Sequence, residues 1–81
     1  MKIEICGPGC AKCHATTKNV QKMVKELGLE KEVEVAEIED IMAIVTKGVL
    51  LTPGIIIDGV KVSEGRIPRP EEIAGWIKER K

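Results

Sequence analysis

Residues 2–13 of this chain read Lys-Ile-Glu-Ile-Cys-Gly-Pro-Gly-Cys-Ala-Lys-Cys. The first five alternate polar and apolar side chains, which is the period of a strand with one buried face. Gly7-Pro8-Gly9 interrupts that alternation, and a helical pattern follows from Cys10 onward. Apolar side chains then recur at steps of three and four residues, at Val20, Met23, Val24 and Leu27. This stretch therefore predicts a strand, a turn and a helix that begins at a Cys-x-x-Cys pair.

The segment after this helix predicts a second strand and a short helix. Gly28 is placed to end the first helix. The alternation of polar and apolar residues returns at residues 32–35 and indicates a strand. Asp40 is a good N-cap for a short helix that ends at Gly48. That helix carries three apolar residues on one side: Ile41, Ile44 and Val45.

The last third of the chain predicts two strands and a final helix. Gly54–Ile57 is continuously apolar and β-branched, as expected of a central strand covered on both faces. Asp58-Gly59 favours a two-residue hairpin, with residues 60–62 as the returning strand. Pro70 suits the first turn of a helix that runs through Ile77. Its N-cap is poor, because Arg69 has no acceptor side chain.

The predicted element order is β-α-β-α-β-β-α. Strands joined through a helix form a parallel pair, and the hairpin adds an antiparallel pair. The sequence thus predicts an α/β fold with a four-stranded mixed sheet flanked by three helices. Residues 1–81 are expected to form a single domain. This length is near the lower limit at which a hydrophobic core is stable without disulfides or bound metal ions.

Composition excludes several classes of partner. Thirteen basic residues balance thirteen acidic ones. The chain therefore lacks the excess of positive charge with which proteins bind nucleic acid or an anionic membrane. One Trp is the only aromatic residue, which leaves no platform for stacking bases. No stretch approaches the roughly 20 apolar residues of a membrane span. Glu4 interrupts any apolar signal region at the amino terminus, which favours a cytoplasmic location.

The spacing of Cys10 and Cys13 points to thiol–disulfide chemistry. Two intervening residues across a first helical turn bring the sulfurs close enough to bridge. Cys10, at the predicted helix start, would face unpaired backbone N–H groups that favour its thiolate, and Lys12 adds a nearby cation. Cys13 shares the inward face of the helix with Val20 and Val24. This asymmetry predicts that Cys10 attacks a substrate disulfide and that Cys13 resolves the mixed disulfide.

The motifs together resemble the thioredoxin superfamily. The likeness rests on the strand, Cys-x-x-Cys and helix opening, on Thr52-Pro53 before an apolar strand, and on the Asp58-Gly59 hairpin. The chain is most similar to the small glutaredoxin-like, "small redox-active disulfide" proteins of archaea and bacteria. The resemblance implies that Pro53 is cis and lies beside the active disulfide. It also implies that Thr52 offers backbone groups to an extended substrate segment.

The predicted function is that of a thiol–disulfide oxidoreductase. Its substrates would be disulfides on proteins or small thiols, and an upstream reductase or thiol donor would return the electrons. No cofactor is expected beyond the Cys10–Cys13 dithiol, and the protein is expected to be a monomer.

The same cysteines are also compatible with other functions. Cys6, Cys10 and Cys13, with His14 adjacent, offer soft ligands for a zinc or copper(I) site or for a redox-sensing module. These four side chains crowd into nine residues, whereas a structural zinc site usually draws on two separated loops. Cys-x-x-Cys-His also matches the c-type haem pattern, but the aromatic packing expected around a porphyrin is missing. Cys6 reads either as a small buried apolar residue or as a third redox position.

Overall fold

The computed structural model describes residues 1–9 and 11–80, so Cys10 and Lys81 lie outside the described residues. The strands are β1 (Lys2–Cys6), β2 (Glu34–Ile38), β3 (Gly54–Ile57) and β4 (Val60–Glu64). The helices are α1 (Ala11–Glu26), α2 (Ile41–Thr46) and α3 (Pro70–Arg80). The predicted order of strands and helices is confirmed. Within the described ranges, no helix has the length and apolar character needed to cross a membrane.

The four strands form one mixed sheet in the order β2-β1-β3-β4. β1 lies parallel to β2, which follows it through α1, and antiparallel to β3. β3 and β4 form the antiparallel hairpin, whose turn residues Asp58 and Gly59 both have positive φ, at 49° and 84°. Positive φ at both central positions is the geometry of the hairpin turn that matches strand twist. The mixed sheet predicted from the sequence is therefore confirmed.

The sheet separates two apolar clusters. On one face, α1 and α3 cover the sheet with a buried cluster that includes Ile3, Ile5, Val20, Val24, Ile55, Ile57, Ile73 and Ile77. On the other face, α2 covers a smaller cluster of Cys6, Ile44, Val49 and Ile56. All four residues of β3 are buried, so the prediction of a central strand covered on both faces is confirmed.

Two glycines end helices in the same way. At Gly28, with φ of 69°, the Gly28 N–H donates to Lys25 O and the next N–H, of Leu29, donates to Val24 O at 3.0 Å. Gly48 repeats this pattern after α2. These paired bonds satisfy carbonyls that the helix leaves without partners, and they require a left-handed residue where the chain turns away. Both predicted helix ends are therefore formed by glycine.

The second strand begins later than the sequence predicted. Residues 32–35 were expected to be the strand, but β2 begins at Glu34, opposite Lys2, and continues to Ile38. The Glu32 and Val33 N–H groups both donate to Leu29 O, at 2.9 Å each. This turn takes up their N–H groups, although Glu32 O still accepts the Met1 amino group at 3.1 Å and Val33 remains buried. The alternation thus marks burial correctly but misplaces the start of strand pairing.

The start of α3 is capped from within the helix. Arg69 has no acceptor side chain, but Glu72 reaches back and accepts the Arg69 N–H at 3.4 Å. Arg66 in turn donates two hydrogen bonds to the Glu72 carboxylate, at 2.9 and 2.5 Å. The Arg66 guanidinium lowers the pKa of Glu72, with the backbone bond adding to the effect. A carboxylate three residues into the helix therefore supplies one half of a capping box, the bond to the N-cap N–H.

Candidate active site

The chain leaves the sheet and enters α1 through Gly7-Pro8-Gly9. The Gly7 N–H donates to Ile38 O at 2.8 Å, which extends the β1–β2 pairing by one bond beyond the strand. Gly9 has φ of 86°, a left-handed conformation that glycine adopts without strain. Cys10, the predicted nucleophile, follows directly in sequence and lies outside the described residues.

Cys13 is buried in the first turn of α1, with 2% of its surface exposed. A Cβ placed on Gly7 would overlap Cys13 Sγ and stand 3.0 Å from Cys13 Cβ. The sulfur therefore lies directly against the Gly7 backbone, where only a residue without a side chain leaves room. The Thr17 hydroxyl donates to Cys13 O at 3.1 Å and is itself buried on the same helix face.

Thr52 and Pro53 lie at the same end of the sheet as Gly7, because Gly54 at the start of β3 pairs with Cys6 at the end of β1. The Thr52-Pro53 peptide bond is cis, and Pro53 is fully buried while Thr52 is half-buried. Thr52 Cβ lies 3.8 Å from the position that a Cβ on Gly7 would take. Cys13 and Thr52 thus flank Gly7, and the fold brings together residues that are 39 positions apart in the chain.

A carboxylate that the sequence analysis did not single out holds the segment before Pro53. Glu64 Oε2 accepts the Leu50 N–H at 3.0 Å and the Leu51 N–H at 3.3 Å. A hydrogen bond from Lys61, followed by these two backbone bonds, lowers the pKa of Glu64 to about 2. Nothing in the local pattern around Glu64 marks this role, since the two N–H groups that it accepts lie 13 and 14 residues earlier.

Cys6 is enclosed on the α2 side of the sheet, with none of its surface exposed. Burial raises the pKa of the Cys6 thiol, and the charge of Glu4 raises it further, while the cation of Lys47 acts in the opposite direction. Lys47 is itself engaged in an ion pair with Glu4 at 2.8 Å. A protonated, enclosed thiol behaves as a small apolar residue and is a poor nucleophile.

Two polar side chains, those of Glu39 and His14, lie close to Gly9. The position of a Cβ on Gly9 would be 3.8 Å from Glu39 Oε2 and 4.0 Å from His14 Nε2. His14 is exposed on α1. An imidazole and a carboxylate therefore border the turn that precedes Cys10.

The metal-binding alternative depends on residues that do not all fall within the described ranges. Among residues 1–9 and 11–80, no group of three or more His, Cys, Asp or Glu side chains is placed to hold a metal ion. Cys10, which that alternative requires, lies outside this part of the chain.

The chain is similar to one family over nearly its full length. A family profile described as thioredoxin domain matches residues 1–78. A thioredoxin of Methanocaldococcus jannaschii is 44% identical over 77 residues, which cover 94% of this chain and 85% of the relative. A thioredoxin of Methanothermobacter thermautotrophicus is 41% identical over 73 residues, which cover 90% of this chain and 92% of the relative.

Proposed function

This chain belongs to the thioredoxin family, and we propose that it reduces or exchanges disulfides through a dithiol formed by Cys10 and Cys13. Membership makes it a thioredoxin-like redox protein; the assignment of the two cysteines is the proposal. The observation that carries the assignment is the burial of Cys13 in the first turn of α1, against Gly7 and beside Thr52. A sheltered sulfur at that position suits the resolving step.

The first step begins at Cys10, which directly precedes the first residue of α1. Unpaired N–H groups at a helix start favour a thiolate near them. The Cys10 thiolate attacks one sulfur of the substrate disulfide. An S–S bond forms between Cys10 and that sulfur, the substrate S–S bond breaks, and the other substrate sulfur leaves as a thiolate that takes up a proton.

The second step closes the dithiol. Cys13 gives up its proton and attacks the Cys10 sulfur, so that the Cys10–Cys13 bond forms and the mixed disulfide breaks. The second substrate sulfur leaves as a thiolate and takes up a proton, which balances the one that Cys13 released. Two electrons have then passed from the dithiol to the substrate, and the enzyme holds the resulting disulfide. A thiol donor or an upstream reductase must reduce that disulfide before the next cycle.

Thr52 supplies the substrate contact in this proposal. The support for this role is that Thr52 Cβ and Cys13 Sγ both lie within 4 Å of the position that a Cβ on Gly7 would take. An extended polypeptide bound there by main-chain hydrogen bonds would present its disulfide to the dithiol. Pro53 has no N–H and so offers no competing donor at that point. The cycle uses no cofactor beyond the dithiol, and a reducing cytoplasm would keep it ready.

Trapping of the mixed disulfide tests the two cysteine roles. Cys13→Ser protein is mixed with a disulfide-bonded protein such as insulin, and adducts are separated without reductant and identified by mass spectrometry. We expect a covalent adduct through Cys10, because the resolving thiol is missing. The adduct should be absent from Cys10→Ser protein and unaffected by Cys6→Ala. An adduct that requires Cys13 and survives loss of Cys10 would reverse the roles.

Metal analysis separates this function from the metal-binding alternative. Protein purified anaerobically is dialysed and assayed for zinc and copper. The proposal expects no stoichiometric metal and a reversible two-electron titration of Cys10 and Cys13, followed by differential thiol alkylation. Zinc or copper retained at one ion per chain would contradict it.

A further inference from the structure

Two charged side chains of β4 hold the segment between α2 and Thr52. Glu64 accepts the Leu50 and Leu51 N–H groups through one carboxylate oxygen. Lys61 Nζ donates to the other Glu64 oxygen at 2.9 Å and to Gly48 O at 3.1 Å. The pair therefore bonds to three backbone groups within four consecutive residues, 48–51.

A bulge in β4 places both charges on the same side of the sheet. In a regular strand, positions three apart point to opposite faces. Here Ile56 pairs with Lys61 and Ile55 pairs with Ser63, so that the register skips Val62. The extra residue brings Glu64 onto the face of Lys61, which is the α2 face. Without the bulge, the carboxylate would point away from residues 48–51.

The same end of β4 also holds Pro53. The Gly65 N–H donates to Pro53 O at 3.0 Å. Leu51 side-chain atoms lie 3.2 Å from the position of a Cβ on Gly65, so the Leu51 side chain packs over this glycine. Leu50 and Leu51 nevertheless remain 80% and 63% exposed. Val49 anchors the start of this segment in the α2-side cluster, but burial does little to order Leu50 and Leu51, whose backbone is held by polar contacts.

We propose that Glu64 is a positioning residue, which holds the backbone of residues 50–51 and thereby sets the Thr52 backbone for an extended polypeptide substrate. The inference rests on the proposed function, since Thr52 is the substrate contact there. A charged acceptor makes stronger hydrogen bonds than a neutral one, and two of them on consecutive N–H groups restrict the local backbone. Binding then requires less ordering of the loop.

The inference predicts a loss that depends on the substrate. With Glu64→Ala, the KM for reduction of insulin should rise about five- to tenfold while kcat stays within about twofold. Reduction of a small aromatic disulfide such as dithiobis(nitrobenzoate) should stay within about twofold, because it lacks an extended backbone to bind at Thr52. The amide protons of Leu50 and Leu51 should exchange faster with solvent.

Two further variants keep the test decisive. Glu71→Ala removes a carboxylate of the same charge from the exposed first turn of α3 and should leave both substrates unaffected. Should Glu64→Ala fail to fold, Glu64→Gln takes its place; its amide oxygen is an uncharged, weaker acceptor, so the loss should again fall on insulin and not on the small disulfide, at a smaller size. Equal losses on both substrates, or no loss on either, would overturn the inference.

Activity on the two substrates distinguishes a wrong role for Glu64 from a wrong function for the protein. Wild-type protein that reduces neither substrate contradicts the proposed function. Wild-type protein that reduces both, with Glu64 variants that behave as the Glu71 variant does, contradicts only the role of Glu64.

Discussion

Gly7 is the residue at which the candidate site has the least room. A methyl group there would overlap Cys13 Sγ, and Cys13 Cβ would also be 3.0 Å away. Thr52 is the third neighbour of this position, at 3.8 Å. Because residue 7 has no side chain, Cys13 Sγ can lie close to the backbone at the end of β1.

Gly7→Ala is predicted to reduce both stability and redox activity. The added methyl must displace Cys13, and overpacking of this kind costs about 1–3 kcal/mol. Insulin reduction and urea unfolding measure the two effects. Gly75→Ala is the matched control, because no atom lies within 4 Å of a Cβ at that helical position. Wild-type activity and stability in Gly7→Ala would show that Cys13 does not need this contact.

Glu64 is predicted to make stability depend on acid pH. Its pKa is about 2 in the folded protein against an ordinary value of 4.5, so the folded state favours the carboxylate. The resulting contribution is fully present above pH of about 4.5 and is lost as the pH falls towards about 2. The difference in unfolding free energy between wild type and Glu64→Gln should shrink over that window. A difference that stays constant down to pH of about 2 would contradict this assignment.

At the scale of single elements, glycine decides where α1 and α2 end. Gly28 and Gly48 have positive φ and have no atom within 4 Å of a Cβ position. Space is therefore available for a side chain, and the backbone conformation is what selects glycine. Gly75 in α3 has the same open space and ordinary helical geometry.

Alanine at these glycines is predicted to change stability in opposite directions. Gly48→Ala should lower the free energy of unfolding by about 1–2 kcal/mol, since an L-residue is forced into the left-handed region. Gly75→Ala should raise it by about 0.5–1 kcal/mol, because alanine is the better helix former. Thermal or urea unfolding measures both. The same sign for the two variants would mean that packing, and not backbone conformation, controls these positions.

At the scale of the whole molecule, the aliphatic cluster under α1 and α3 holds the fold. Ile73 and Ile77 of α3 are 1% and 0% exposed and pack with Val20 and Val24 of α1 and with the sheet. Trp76, the single aromatic residue, packs only at the edge of this cluster. Stability therefore depends on many close aliphatic contacts, as expected from a sequence without Phe or Tyr.

Ile77→Ala is predicted to destabilise the protein by about 2–5 kcal/mol, since the lost side chain leaves a cavity between α3 and the sheet. Domains of this kind have a total stability of about 5–15 kcal/mol, so a large part of it would be lost. Val60→Ala on the exposed hairpin is the control and should change stability by less than about 0.5 kcal/mol. Urea unfolding of both variants measures the difference. Similar values for the two would contradict the assignment of the core.

Local patterns were sufficient for the order of the elements, and they are also the source of the proposal for the Cys-x-x-Cys pair. Alternation, helical spacing, Gly28, Gly48 and Asp58-Gly59 act within a few residues, so their effects can be read without the rest of the chain. The Asp40 N-cap, whose carboxylate accepts the Met42 N–H at 3.1 Å, is of the same kind.

Tertiary structure decided the features that join distant parts of the chain. Pairing with Lys2 set where β2 begins, and the skipped register at Val62 turned Glu64 towards Leu50 and Leu51. The meeting of Cys13 with Thr52 at Gly7 depends on how α1 and the turn before β3 pack on the sheet. Sequence periodicity reports which face of an element is apolar, but strand register and side-chain approach arise only when several elements pack together.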